Sequence, residues 1–240
     1  MTAGPASRPR ATAVILSGGV AHDFPALSAR LADLLAGAGV TAVIRTDIEQ
    51  AALAAGAADL LVVNMLRWRM LDGRYAAQRG QWGLTLSGPA RAAVTGWVHG
   101  GGAVLAMHAS CICFDDWPEW KQLAGARWAW GTSGHPPAGP AQVQVAGSHP
   151  IVAGLPATFS TDDEIYGFLD LAAGVEPLLT AEHGGVSHPL LWARAAGAGR
   201  VAHTTLGHHL PSYDPPEVQR IVRRSALWAL GEPDEAVAAA

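Results

Sequence analysis

One stretch of this chain leaves little freedom of fold: Gly100-Gly101-Gly102-Ala103-Val104-Leu105-Ala106-Met107-His108-Ala109-Ser110. A glycine turn leads into a short apolar run, and a polar residue followed by small ones ends it. That pattern describes an inner strand of a parallel sheet, buried on both faces. In open α/β sheets the ligand crevice lies beyond the carboxyl ends of the strands. A sharp strand-to-helix turn there lifts one side chain out of the sheet, as the nucleophile elbow lifts serine in hydrolases. Here the lifted side chain is His108.

The rest of the chain supplies the partners such a strand needs. Ala13-Val14-Ile15-Leu16-Ser17, ended by Gly18-Gly19, predicts a first strand. Asp23 suits an N-cap with Pro25 in the first turn, and Leu27, Leu31, Leu34 and Leu35 recur at helical spacing until Gly37 and Gly39. Residues 40–45 and 59–64 predict two more strands around a short helix at 48–55. Ser87 opens a helix through Val94, Trp97 and Val98 that reaches the Gly100 turn, and a short helix follows Asp115. Further strands are expected at 142–145, 176–180, 189–193 and 200–206, with a closing amphipathic helix at 215–230. Strands alternating with helices predict an α/β fold on a mostly parallel sheet. No composition shift divides it, so one domain is expected over 12–231, with 1–11 and 232–240 as disordered tails. Residues 65–86 break the alternation. They are expected to cover the crevice or to form an interface between copies of the chain.

Half the residues are hydrophobic and 15% are charged, enough apolar surface to exclude global disorder. A net charge of −4 leaves no basic face for nucleic acid and no polybasic patch for a membrane surface. No apolar run approaches the ~20 residues of a membrane span, and Met1–Arg10 lacks the apolar core of a secretory signal. The expected setting is cytoplasmic and the expected partner a small molecule.

The histidines carry the chemistry. His22, His108 and His208 each fall just after a predicted strand, at one edge of the sheet, and Asn64 takes the corresponding place after the third. Any one of them alone reads as a capping or packing residue; together they read as a site. His209 competes with His208 for the inward position. In Asp163-Glu164-Ile165-Tyr166, Glu164 could orient a histidine, act as general base, or complete a metal shell. The catalytic candidates are therefore His108, Glu164, His22 and His208. The same four would hold zinc or iron if a metal is used, although no HExxH or CxxC motif is present. Asp23, Asn64, Asp163, Tyr166, His188 and Trp192 are the substrate-binding candidates. His135 and His149 precede prolines and read as turn residues, and His99 sits at a helix end. Cys111 falls three residues past the elbow position, and it and Cys113 read as buried small residues. Neither glycine run matches a P-loop or GxGxxG, so no nucleotide cofactor is expected. Nine tryptophans against four phenylalanines suit an amphipathic ligand such as a sugar.

These pieces, taken in order, resemble a known family. Gly18-Gly19 with His22-Asp23, Gly100-Gly101-Gly102 through His108-Ala109, and Ser148-His149-Pro150 with Gly154-Leu155-Pro156 come first. Asp163-Glu164-Ile165-Tyr166, His188-Pro189 with Trp192, and Gly199-Arg200-Val201 through Gly207-His208 follow. The set, over residues 12–231, is similar to the ThuA-like (trehalose utilisation) family. The resemblance implies a flavodoxin-like three-layer fold close to class I glutamine amidotransferase domains. It also implies a role in carbohydrate utilisation on a sugar or keto-sugar. Amidotransferases carry their cysteine where this chain has His108, and the C-terminal His-x-Glu of their triad has no clear counterpart here. Three functions follow in order: an enzyme using His/Glu acid-base or metal-assisted chemistry, a non-catalytic sugar-binding or regulatory module, and a cysteine-dependent amidotransferase or peptidase-like hydrolase.

Overall fold

The computed structural model describes residues 11–240. Its centre is a nine-stranded sheet. Strands β1 (Thr12–Gly19), β2 (Thr41–Arg45), β3 (Leu60–Leu66) and β4 (Ala103–Met107) are joined by helices α1 (Phe24–Gly37), α2 (Ile48–Leu53), α3 (Ala76–Trp82) and α4 (Gly88–His99). After β4 come α5 (Pro118–Ala124), β5 (Ala126–Arg127), β6 (Gly139–Val145), β7 (Thr158–Asp163) and β8 (Asp170–Leu171). The chain closes with β9 (Leu179–His183), β10 (Val186–Ala196), β11 (Gly199–Thr204), α6 (Pro216–Ala229) and α7 (Asp234–Ala239).

The sheet order is β2-β1-β3-β4-β11-β10-β9-β6-β7, with β5 and β8 as a separate pair. The first five strands are parallel, and β1, β3 and β4 take the flavodoxin-like order. Side chains alternate across these strands. On β4, Ala103, Leu105 and Met107 join α1 and α6 on one face, while Val104 and Ala106 join α2, α4 and α5 on the other. Strands covered on both faces are mostly apolar: β4 is apolar throughout, and β3 carries one polar residue, Asn64, whose Nδ2 donates to Ser28 Oγ. Asp23 caps α1 through Ala26 N, and Ser87 caps α4 through Ala90 N.

Beyond β11, strands β10, β9, β6 and β7 are antiparallel. This half of the sheet curls back, so that edge strand β7 meets the segment after β11. Thr161 Oγ1 donates to Ser212 O at 3.2 Å and Ser212 Oγ donates to Asp162 O at 2.8 Å. The curl carries the end of β7 to the carboxyl ends of the parallel strands.

The expectation of a disordered tail at 232–240 is corrected. Residues 234–239 form α7, whose Val237 is fully buried in the core. The Arg224 guanidinium donates to the carbonyls of Ala238 and Ala240 on one side and Ala153 on the other. The alanine-rich composition concealed this clasp. Residues 1–10 of the expected N-terminal tail lie outside the described residues; Ala11 accepts a hydrogen bond from Thr41 N. Among the described residues, no helix is long and apolar enough to cross a membrane.

Candidate active site

His108 follows β4 directly and has φ +37°, a left-handed conformation rare for a residue with a Cβ. The turn aims its ring between β1, β11 and β7, where it is 2% exposed. Its Nδ1 donates to Thr205 O at 2.6 Å, which fixes the tautomer and leaves Nε2 as a bare lone pair. That atom is buried without a hydrogen-bond partner.

Three other groups converge on it. His22, after β1, donates from Nδ1 to Val20 O at 3.1 Å, so its Nε2 also turns inward as an acceptor. His208, after β11, places Nδ1 3.1 Å from both His22 Nε2 and Glu164 Oε2. Glu164, just past β7, has Oε2 3.6 Å from His108 Nε2, beyond hydrogen-bond range but within ionic contact. One ligand atom from each of the four lies within 4.8 Å of all the others. A tetrahedral ion with bonds of about 2.0–2.1 Å would set its ligands about 3.3 Å apart, close to the 3.1 Å and 3.6 Å contacts, with the remaining pairs inside 4.8 Å. Ring nitrogens whose opposite N–H is tied to a backbone carbonyl are the usual outer support of metal-ligating histidines. The set therefore fits zinc or iron.

Electrostatics agree with that donor set. Burial pulls the His22 imidazole down to about 4, helped by the neighbouring His108. Burial also lowers His208, despite the opposing pull of Glu164. Burial alone would raise the Glu164 carboxyl; contact with His108 and the charges of His108, His135 and His208 outweigh it and hold the group below its ordinary value. Burial thus disfavours the charged form of His22 and His208, and the surrounding histidines favour the ionised form of Glu164, the same directions in which a bound cation acts.

Asp163 anchors the cluster from behind. Its carboxylate accepts from Glu164 N at 2.9 Å, Gly207 N at 2.7 Å and His208 N at 3.2 Å. It thereby joins the end of β7 to the turn after β11. Gly207 makes that turn at φ +116°, where a Cβ would collide with the Tyr213 hydroxyl.

A cavity of about 260 Å³ opens over His22, Glu164 and His208. Its walls include Trp68, Tyr75, Trp128, Trp130, His135 and Tyr166. Tyr166 packs on His108 with ring centroids 4.5 Å apart, and His135 stacks on Tyr166 at 5.2 Å. Trp68 and Tyr75 belong to segment 65–86, which covers the crevice.

The structure brings together His22, His108, Glu164, His208 and Tyr166. His208 rather than His209 faces inward; His209 Nε2 pairs with Asp162 at 3.0 Å. The other substrate-binding assignments are corrected. Asp23 is an exposed helix cap. Asn64 lies inside β3 because that strand runs two residues further than its apolar run suggests, and its Nδ2 donates to the buried Ser28 Oγ. Asp163, 1% exposed, spends both oxygens on backbone N–H groups. His188 accepts from Phe168 N and contacts His183 O, locking a hairpin away from the cavity. Trp192 is core: its Nε1 donates to Ala124 O at 2.7 Å and its ring packs on His203. His135, expected only to shape a turn, has Nδ1 3.3 Å from Glu164 Oε1. The flanking tryptophans were the signal that its loop borders a site. Cys111 and Cys113 are both buried; burial raises both thiols, Cys113 to about 12, so neither supplies a thiolate.

A family model described as ThuA, trehalose utilisation, matches residues 13–229. The chain belongs to the ThuA family. A ThuA-like protein of Parabacteroides merdae is similar in structure, with TM-score 0.75 at 20% identity over 92% of this chain and 91% of that one. Another from Bacteroides uniformis gives 0.70 at 18% identity over 96% and 95%. A GMP synthase component from Thermoplasma acidophilum gives 0.55 at 14% identity over 93% and 96%, which places the ThuA fold among glutamine amidotransferase-like folds. Comparison with curated proteins finds no match.

Proposed function

We propose that this ThuA-family protein is an enzyme acting on a sugar or keto-sugar, with His22, His108, His208 and Glu164 as the ligand set for zinc or iron. The observation that carries the reading is His108 Nε2: a buried nitrogen lone pair without a hydrogen-bond partner, facing three further donors. An orphaned buried acceptor costs about 1–3 kcal/mol unless something occupies it. When bound, the ion would supply Lewis-acid polarisation of a carbonyl or hydroxyl oxygen.

The chain's own groups do the rest. Thr205 O and Val20 O hold the His108 and His22 rings in the tautomer that points Nε2 inward. His135 Nδ1 restrains the outer Glu164 oxygen at 3.3 Å. The indole and phenol walls exclude water from one side of the ligand and offer flat apolar faces to the C–H face of a sugar ring.

Elemental analysis of the purified protein tests the first half: about one zinc or iron per chain is expected, with His108→Ala losing it. A panel of keto-glycosides, followed by mass spectrometry of products, tests the second. Full turnover by His108→Ala on any substrate so found would overturn the assignment.

A further inference from the structure

We infer that a second copy of this chain docks on the β2 edge, continuing the sheet across a two-fold axis at Val43. The inference is independent of the metal and sugar readings. β2 ends the sheet order, so one row of its N–H and C=O groups has no partner strand among the described residues. Edges are commonly blunted by proline, lysine, a bulge or a covering element. β2 has no such device in its sequence: it reads Thr41-Ala42-Val43-Ile44-Arg45, pairs with β1 in unbroken register, and leaves Val43 43% and Ile44 38% exposed.

The backbone sets the register. Thr41 N donates to Ala11 O, so the polar groups of Thr41, Val43 and Arg45 point to β1, and those of Ala42 and Ile44 point outward. With the axis at Val43, Ala42 and Ile44 of one copy exchange both hydrogen bonds with Ile44 and Ala42 of the other. Val43 then faces Val43 in the closer, non-hydrogen-bonded type of pair. Side-chain sizes match as well. Small Ala42 meets large Ile44 on the α1 face, and every exposed residue of α1 except Asp33 is proline, alanine or glycine.

Charge complementarity singles out an identical partner. Thr41, Val43 and Arg45 share the face of Thr12, Val14 and Leu16. Arg45 donates to the adjacent Ile44 O at 3.4 Å, and Asp59 accepts from Thr12 N and Oγ1 at 2.7 and 2.9 Å. Among the described residues, neither Arg45 nor Asp59 has an oppositely charged partner. In the antiparallel register Arg45 of one copy lies opposite Thr41 of the other, one strand away from Thr12 and its Asp59. Two strand spacings are about 10 Å, most of which an extended arginine covers. The two-fold axis makes this contact twice. The parallel strands of the two copies run in opposite senses, so the two histidine clusters open on opposite sides and neither copy completes the other's site.

Analytical ultracentrifugation and amide hydrogen exchange on the full chain test the interface. The native chain is expected to be a dimer in which the Ala42 and Ile44 amides are protected, with that protection lost on dilution. Val43→Lys sets two like charges face to face and should raise the dissociation constant about 100-fold or more. Ile44→Pro removes an N–H that β1 does not use, and it should also give monomers, with circular dichroism confirming the fold. Arg45→Glu should weaken the dimer, and adding Thr41→Arg should restore it. A native chain that is monomeric at about 0.1 mM overturns the inference. So does a dimer that survives both Val43→Lys and Ile44→Pro, or one whose Ala42 and Ile44 amides exchange freely. Should either variant unfold, the exchange pattern of the native chain decides alone.

Discussion

At the scale of single residues, the site depends on the difference between two adjacent carboxylates. Glu164 faces the histidines, whereas Asp163 faces backward and accepts three backbone N–H groups. Asn at 163 keeps one acceptor oxygen and turns an amide NH₂ toward at least one of those donors. Asp163→Asn is therefore expected to weaken zinc binding about 10–100-fold, the usual cost of losing an outer support. A competitive chelator titration measures it. Asp162→Asn, which removes only the partner of His209, serves as the control and should change little. The sequence does not show that Asp163 turns backward, because two of its three partners are main-chain groups more than forty residues away. The histidines were more legible, since a polar residue just past a buried strand can only sit at the carboxyl edge. Asn64 failed that test because β3 continues through Met65 and Leu66 and draws it into the interior. His135 failed it differently: a proline neighbour does identify a turn, but not what the turn borders.

At the scale of elements, apolar runs and glycine punctuation mark the parallel strands and their helices well, because burial on both faces keeps polar residues to a few hydrogen-bonded positions such as Asn64 and His203. The antiparallel half was harder. Its strands were visible as short runs at 142–145 and 189–193, but the curl that brings β7 to the turn after β11 depends on hydrogen bonds distant in sequence. The last helix was missed because alanine says little about docking; a buried arginine, Arg224, holds α7 in place. Truncation after Gly231 removes two carbonyl partners from a guanidinium that is 6% exposed, and uncovers the pocket of Val237. It is expected to cost about 3 kcal/mol or more, since a hydrogen bond to a charged group contributes about 1.5–3 kcal/mol. Chemical denaturation of the truncated chain measures the loss. Adding Arg224→Met to the truncation should recover part of it, because an apolar side chain leaves no stranded donors. No recovery would show that α7 stabilises the fold through Val237 alone.

At the scale of the whole molecule, the same burial that keeps imidazoles neutral ties stability to pH. His203 is fully buried between β11 and α5, donating from Nδ1 to Ala124 O at 3.0 Å and accepting from Ser110 Oγ at 3.2 Å. Burial pulls its imidazole down from 6.5 to about 4, against the opposing pull of Ala124 O. Between those values the unfolded chain takes up a proton that the folded chain refuses. The contribution is therefore complete above pH 6.5, declines as pH falls, and is exhausted near pH 4. At about 1.4 kcal/mol for each pKa unit, His203 alone accounts for roughly 3 kcal/mol over that window. His22 is displaced through the same range and steepens the decline. Urea denaturation of metal-free protein at pH 7.5, 6.5, 5.5 and 4.5 should show a plateau above 6.5 and a steady fall below it. His203→Gln should be less stable at pH 7.5 yet lose about one proton's worth of slope between pH 6 and 5. Zinc should steepen the native protein's dependence further, because protons and the ion compete for the same nitrogens. An unchanged slope in His203→Gln would show that the acid sensitivity arises elsewhere.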